Sequence, residues 1–191
     1  MEVLGIFSAF GLSASAGLNA YIPLLAIALL AKFTNLIKLS SPWDTLTSWW
    51  IIGLITILGI IEFFADKVPA VNHINDVIQT IIRPAAGAIV FAASAHVITE
   101  IHPILSIGAG LLVAGGVHAV KSLVVRPSVT AATAGVGNVV VSAAEDFISS
   151  VVSVLSLVVP VVIAAIIIII TAWVVFALLR RHRKADSGKY S

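Results

Sequence analysis

Residues 62–83 read EFFADKVPAVNHINDVIQTIIR. They follow the apolar run Trp49 to Ile61 and carry Glu62, Asp66, Lys67, Asp76 and Arg83 in a chain whose charged residues are only 10% of the total. Glu62 and Asp66 stand four apart, so a helix places both on one face. Carboxylates beside an apolar helix are costly unless paired, wet or protonated. From Pro69 the pattern is amphipathic, with Asn72, Asp76, Gln79 and Arg83 on one face and Val71, Ile74, Ile78 and Ile81 on another. Such a helix lies along an interface or plugs a cavity. Pro84 disfavours a helical Arg83 and suits a first turn, so one element is expected to end at Arg83 and another to begin.

The surroundings of this stretch set the class. A hydrophobic fraction of 60% and a mean hydropathy of +1.13 leave too few polar groups to solvate a globular surface, and several apolar runs are long enough to cross a bilayer. The expectation is an all-α polytopic membrane helix bundle. The chain has no cysteine, which excludes disulfides and thiolate metal sites. Its net charge of +2 comes mainly from Arg180, Arg181, Arg183 and Lys184, directly after an apolar helix, so the cluster reads as a topology signal and not as a nucleic-acid site. Met1-Glu2 leads straight into apolar sequence, and no cleavable signal peptide is expected.

Upstream, Val3 to Phe33 exceeds the ~20 residues that a crossing needs. It is interrupted by SASAGLNAYIP (13–23), which predicts a break near Gly17 to Pro23. Lys32, Lys38 and Asp44 mark a polar loop. Trp43, Trp49 and Trp50 anchor a second crossing, about Trp49 to Phe64. Downstream, Pro84 to Ile101 makes a third crossing, and Glu100, His102 and Pro103 a connection so short that the fourth, Pro103 to Val125, must return antiparallel. In that fourth segment Gly110, Ala114 and His118 repeat every four residues, which places the imidazole on a packed face. PSVTAATAGVGNVVVSAA (127–144) is uncharged but weakly hydrophobic, and Gly135, Gly137 and Asn138 point to a broken or re-entrant segment. Phe147 to Leu179 is longer than one crossing and kinks at Pro160.

These segments give about six membrane crossings with broken or re-entrant helices in one domain, 1–184, and a short cytoplasmic tail, 185–191. An echo of Ala16-Gly17-Leu18-Asn19-Ala20 in Gly115-Gly116-Val117-His118-Ala119 suggests halves 1–101 and 103–182 related as an inverted repeat, chance similarity among Ala- and Gly-rich helices being the alternative. A cytoplasmic location of both termini puts Lys67, Arg83, Lys121, Arg126 and the basic tail inside, with Lys32 and Lys38 as exceptions. The expected location is the inner (plasma) membrane with a cytoplasmic C-terminus.

GLNAYIPLL (17–25), EFFADKVPAVNHINDVIQTIIRPAAGA (62–88), GGVHAVKS (115–122), RPSVTAATAGVGN (126–138) and SAAEDF (142–147) together resemble the bacterial integral-membrane proteins grouped as the domain-of-unknown-function 4126 family. The resemblance implies a small multi-pass membrane protein and brings no substrate, reaction or site residue.

The chemistry therefore rests on the polar residues. Asn19, Glu62, Asp66, Arg83, His118, Lys121, Arg126, Asn138, Glu145 and Asp146 are the candidates for a substrate or ion cavity where broken segments meet. Carboxylates with an imidazole can bind a cation or relay protons, and the bases can neutralise them or hold an anionic group. The bland alternative is helix caps and interfacial ion pairs. His96 and Glu100, with His102 and His73, form only a weak metal motif, since one helix pair supplies two ligands. No hydrolase motif or phosphate loop occurs, so neither an enzyme nor a cofactor is expected. The function expected is a small secondary transporter or flippase-like carrier for an ion or a small anionic or lipid-phosphate substrate. The alternative is a non-transporting scaffold or accessory subunit whose Gly and Ala faces serve packing. The bilayer is the expected partner, a homo-oligomer is compatible with those faces, and nucleic acid is not expected.

Overall fold

The structure, a computed structural model, describes residues 2–34, 37–96, 102–158, 166, 169–171 and 173–174, and of residues 2–4, 69–70, 72–73 and 95–96 the backbone alone. Helix α1 spans Glu2–Leu18 and α2 spans Tyr21–Phe33. The break between them falls where the sequence placed it. Asn19 Oδ1 accepts the N–H groups of Tyr21 and Ile22 at 3.1 and 3.2 Å, so a side chain takes over donors that the start of α2 leaves unpaired. Pro23 lies in that same first turn, where a missing N–H costs little. After a 3₁₀ turn, Trp43–Thr47, come α3 (Trp49–Ala65) and α4 (Pro69–His96). Trp49 and Trp50 are exposed at the start of α3, as interfacial anchors would be.

Pro84 does not start a new element. Helix α4 runs through it without interruption, which corrects the expectation of an end at Arg83 and a separate third crossing from Pro84. A proline inside a helix forfeits one hydrogen bond and crowds the preceding turn. Here contacts on both sides hold the helix together. Arg83 is clamped by carboxylates of α3, and the Pro84 ring faces Gly115, where an added Cβ would meet it at 3.6 Å.

The 127–144 segment is broken near its glycines, as expected, and it is not a separate crossing. Helix α5 (Pro103–Val120) passes through a π-helical turn, Lys121–Val125, into α6 (Arg126–Thr133), and α7 (Gly137–Val158) begins after a three-residue turn. The wider π turn accommodates Pro127 against the carbonyls before it. Gly137 and Asn138 open α7, since Gly137 N–H donates to Thr133 Oγ1 at 2.9 Å.

Contacts between the helices fix their directions. Ser8 meets Ser156, and Asn19 meets Asp146, so α1 and α7 are antiparallel. Ser13 meets Gly110, and Leu18 meets Lys121, so α1 and α5 run the same way. Gly87 meets Gly110, and Asp76 meets Arg126, so α4 returns against α5 as the short connection required. Inverted halves would oppose α1 and α5, the two helices that carry the echo; their parallel course removes the inverted-repeat reading in that register. Helix α1 also begins at the end of the bundle far from Lys67 and Arg126. A crossing α1 therefore separates the N-terminus from those bases, against the expectation that they share a side. Pro160, the basic tail and the C-terminal side lie outside the described residues.

Close approach of α4 and α5 depends on glycine. A Cβ on Gly110 would strike the Gly87 carbonyl and come within 2.6 Å of Ala88 Cα. Three helical stretches, Ile74–Ser94, Pro103–Thr133 and Gly137–Val158, are long and apolar enough to cross a bilayer, and shorter apolar helices cover Gly5–Leu18, Tyr21–Phe33 and Trp49–Ala65. Leu112, Ile81 and Leu123 face outward, while Arg83, Glu62 and Ser142, Ser149, Ser153 and Ser156 of α7 face inward. Polar groups inside and apolar groups outside are what lipid as the solvent demands. The chain is a helical membrane bundle.

Candidate functional site

Helix geometry brings the charges to one end of the bundle. Glu62 lies on the last turn of α3 and Asp66 just past its end, so both carboxylates face α4. The first half of α4 turns Asn75, Gln79 and Arg83 inward, with Asp76 half-buried, and leaves Val71, Ile74, Ile78 and Ile81 outside. The amphipathic pattern of the sequence is thus real, with its polar face toward the protein. Helix α5 adds His118, the π turn Lys121, α6 Arg126, and α7 Glu145 and Asp146. Single-turn π insertions recur at functional sites because they re-aim side chains within a helix.

Asp66 is the hub. Its Oδ2 receives Arg126 Nη2 at 3.1 Å and Arg83 Nη2 at 3.4 Å, with Lys121 Nζ at 3.8 Å. Ser142 donates to the same oxygen at 3.4 Å, and Asn75 donates to Oδ1 at 2.6 Å. Burial alone would raise the Asp66 carboxyl, but Lys121, Arg126 and Arg83, helped by Asn75, hold it below its ordinary value.

Arg83, fully buried, donates through Nη2 and Nε to the single oxygen Oε1 of Glu62, at 2.8 and 3.3 Å. Lys121 pairs with Glu145 at 2.7 Å and donates to Leu18 O at 3.2 Å, at the carbonyl end of α1. Arg126 also reaches Asp76 at 2.8 Å and Glu145 at 3.4 Å. At the rim, Lys67 holds Asp146 at 2.9 Å, and Asn19 Nδ2 donates to the other Asp146 oxygen at 2.9 Å.

His118 shares its buried face with Ser106, Gly110 and Ala114, as the four-residue spacing required. Its Nδ1 stands 3.4 Å from Arg83 Nη1, and its Nε2 stands 3.2 Å from Thr80 Oγ1. A guanidinium can only donate, so this network assigns the lone pair to Nδ1 and the proton to Nε2. Thr80 accepts that proton and passes its own to the Asp76 carbonyl at 2.9 Å.

A family model described as "Domain of unknown function (DUF4126)" matches residues 6–181. The chain belongs to this family. No curated protein and no solved structure matches it.

In this DUF4126 protein, nine of the ten residues picked from sequence converge: Asn19, Glu62, Asp66, Arg83, His118, Lys121, Arg126, Glu145 and Asp146. Asn138 does not. Its Nδ2 donates to Thr130 Oγ1 at 2.7 Å across the α6–α7 turn, because an asparagine beside glycine at a helix start satisfies the turn first. The charges pack on one another, and a groove lies beside them. That groove, about 490 Å³ between α2 and α3, is largely apolar and is lined by residues that include Asn19, Tyr21, Gly59 and Phe63. Sequence reading missed Asn75, Asp76 and Thr80 as partners, and it missed the serines that tie α7 to α1. Ser142, Ser149, Ser153 and Ser156 share the buried face of Glu145, a helical stripe legible in the sequence. Ser15 Oγ meets Ser149 Oγ and Ser153 Oγ, both at 2.7 Å. Of the weak metal motif, the His96 side chain, the His73 side chain and Glu100 lie outside the described residues, and His102 Nδ1 instead accepts Ile104 N–H at 3.3 Å at the start of α5.

Proposed function

We propose that this membrane protein is a small secondary transporter or flippase-like carrier, with the buried charge network as the place where it handles an ion or an anionic headgroup. The observation that carries the reading is the Arg83–Glu62 pair, 0% and 1% exposed inside a bundle with apolar outer faces. Ionisable groups at such depth are expensive, and in membrane proteins they mark transport and proton pathways. Two helix discontinuities adjoin them, the break at Asn19 and the π turn at Lys121–Val125. Broken helices beside charged side chains are the arrangement in which carriers bind substrate. On this reading the protein is not an enzyme, and it resides in the inner membrane.

The test is reconstitution of the full chain in liposomes, with transport-associated currents recorded over a panel of ions, phosphate-bearing lipid headgroups and small metabolites. A substrate-dependent current that Arg83→Met abolishes, in a variant that still elutes as folded protein, is the expected result. The second reading, a scaffold or accessory subunit, draws on the mutual pairing of the charges, which suits a static tie between helices. Absence of current and of thermal stabilisation across the whole panel overturns the carrier and favours the scaffold.

A further inference from the structure

The network formed by the described residues is short of one positive charge. Among the described residues its ion pairs join Glu62, Asp66, Asp76, Glu145 and Asp146 to Lys67, Arg83, Lys121 and Arg126. Five carboxylates face four bases, a net charge of −1 when all are ionised. Two carboxylate oxygens of the network, Glu62 Oε2 and Asp76 Oδ1, are buried without a hydrogen-bond partner among the described residues; the Asp76 side chain is 18% exposed and the Glu62 side chain 1%, so the shortfall weighs most on Glu62. Arg83 directs both Nε and Nη2 to Oε1 of Glu62, and Glu62 Oε2 is buried with no hydrogen-bond partner among the described residues. A carboxylate oxygen left in that state bears a full desolvation cost. A carboxylic acid fits the asymmetry: its carbonyl oxygen accepts from Arg83, and its hydroxyl needs an acceptor. Gln79, one turn before Arg83 on α4, is 98% buried and has a carbonyl oxygen without a donor among the described residues. Tyr21 neighbours both Glu62 and Gln79.

We propose that Glu62 Oε2 is the binding site of one exchangeable proton, which brings the network to neutrality. This deepens the carrier reading by naming the proton as its coupling ion, and it rests on that reading only for the coupling. Every packed element presents groups to this site: Tyr21 from α2, Gln79 and Arg83 from α4, His118 from α5, Lys121 from the π turn, and Asp66 beyond the end of α3. A metal ion would need several convergent oxygens, and no group of three His, Asp or Glu among the described residues is set to hold one. A proton needs none of that space. The largely apolar groove lined by Asn19, Tyr21, Gly59 and Phe63 borders the Glu62 turn.

The test is infrared spectroscopy of the full chain in lipid nanodiscs. At neutral pH the wild type shows the carbonyl stretch of a buried carboxylic acid, shifted in D₂O and lost when the pH is raised. Glu62→Gln, a neutral mimic of the protonated state, folds as the wild type does and lacks the band, while Glu145→Gln keeps it. Absence of the band at neutral pH, its survival in Glu62→Gln, or failure of Glu62→Gln but not Glu145→Gln to fold overturns the proposal. A band without substrate current leaves the proton site standing and removes the carrier; current without the band does the reverse.

Discussion

The two ends of the α1–α4–α5–α7 bundle are held by different forces. Before Asn19, along Ser8 to Ser15 of α1, Gly87 and Gly110 let α4 and α5 touch backbone to backbone, Phe10 packs edge-on against Phe91 with centroids 5.0 Å apart, and serines bind α7 to α1. Toward the end of α1, the same helices are joined by ion pairs that converge on Asp66. Dispersion and single hydrogen bonds are short-ranged and fix one geometry. Charges in a low-dielectric interior act over longer distances and can exchange partners, at a steep cost if one is left alone. On the proposed reading, the charged part of the bundle is the one that responds to a proton or an ion.

Removal of the hub should have the largest effect. Asp66→Asn leaves Arg83, Lys121 and Arg126 without their shared anion and should cost about 3 to 5 kcal/mol, read by thermal unfolding in detergent. The pH dependence carries the same signature. Because the Asp66 carboxyl is held below its ordinary value of 3.8, its stabilising contribution is fully present above that value and is lost as the pH falls through the lower folded-state value. Asp66→Asn should flatten this acid limb.

At the close-packed end, Gly110→Ala drives a methyl group into the backbone of α4, for which relaxation is hard, and should cost about 1 to 3 kcal/mol in the same assay. Similar losses from Gly110→Ala and Asp66→Asn in substrate current, and not only in stability, would erase the distinction between the ends.

Ser15→Ala removes hydroxyl contacts with Ser149 and Ser153. Interhelical hydrogen bonds of this kind average ~0.6 kcal/mol in a membrane, so a loss of about 1 kcal/mol is expected. The smallest effect belongs to Lys67→Gln at the rim. Its ammonium pairs with Asp146 at 20% side-chain exposure, Asp146 retains Asn19, and water screens what remains, so the loss should be about 1 kcal/mol or less. A cost near that of Asp66→Asn would extend the dry network to Lys67.

Much of the site was legible because charge is scarce in this chain. Glu62 with Asp66 and the run Gly110, Ala114, His118 have helical spacings that place them on one face whatever the neighbours do, and the break at Asn19 follows from an amide side chain ahead of an early proline. Pro84 and Pro127 misled because a proline rule is local. In α4 the clamp on Arg83 and the contact with Gly115 outweigh one lost hydrogen bond, and in α5–α6 the π turn absorbs it. Asn138 misled because the same residue type suits a polar cavity and a turn, and only the position of Thr130 decides between them.

By itself, the sequence determined that this chain is a helical membrane bundle and which of its charges share a helix face, because composition and helical period are properties of the chain alone. Only the tertiary structure decided that α1 and α5 run parallel and that Asp66 is shared by three cations. Those outcomes depend on contacts between residues far apart in the chain. In lipid, partner choice is set by which helices can approach closely enough to satisfy a buried charge.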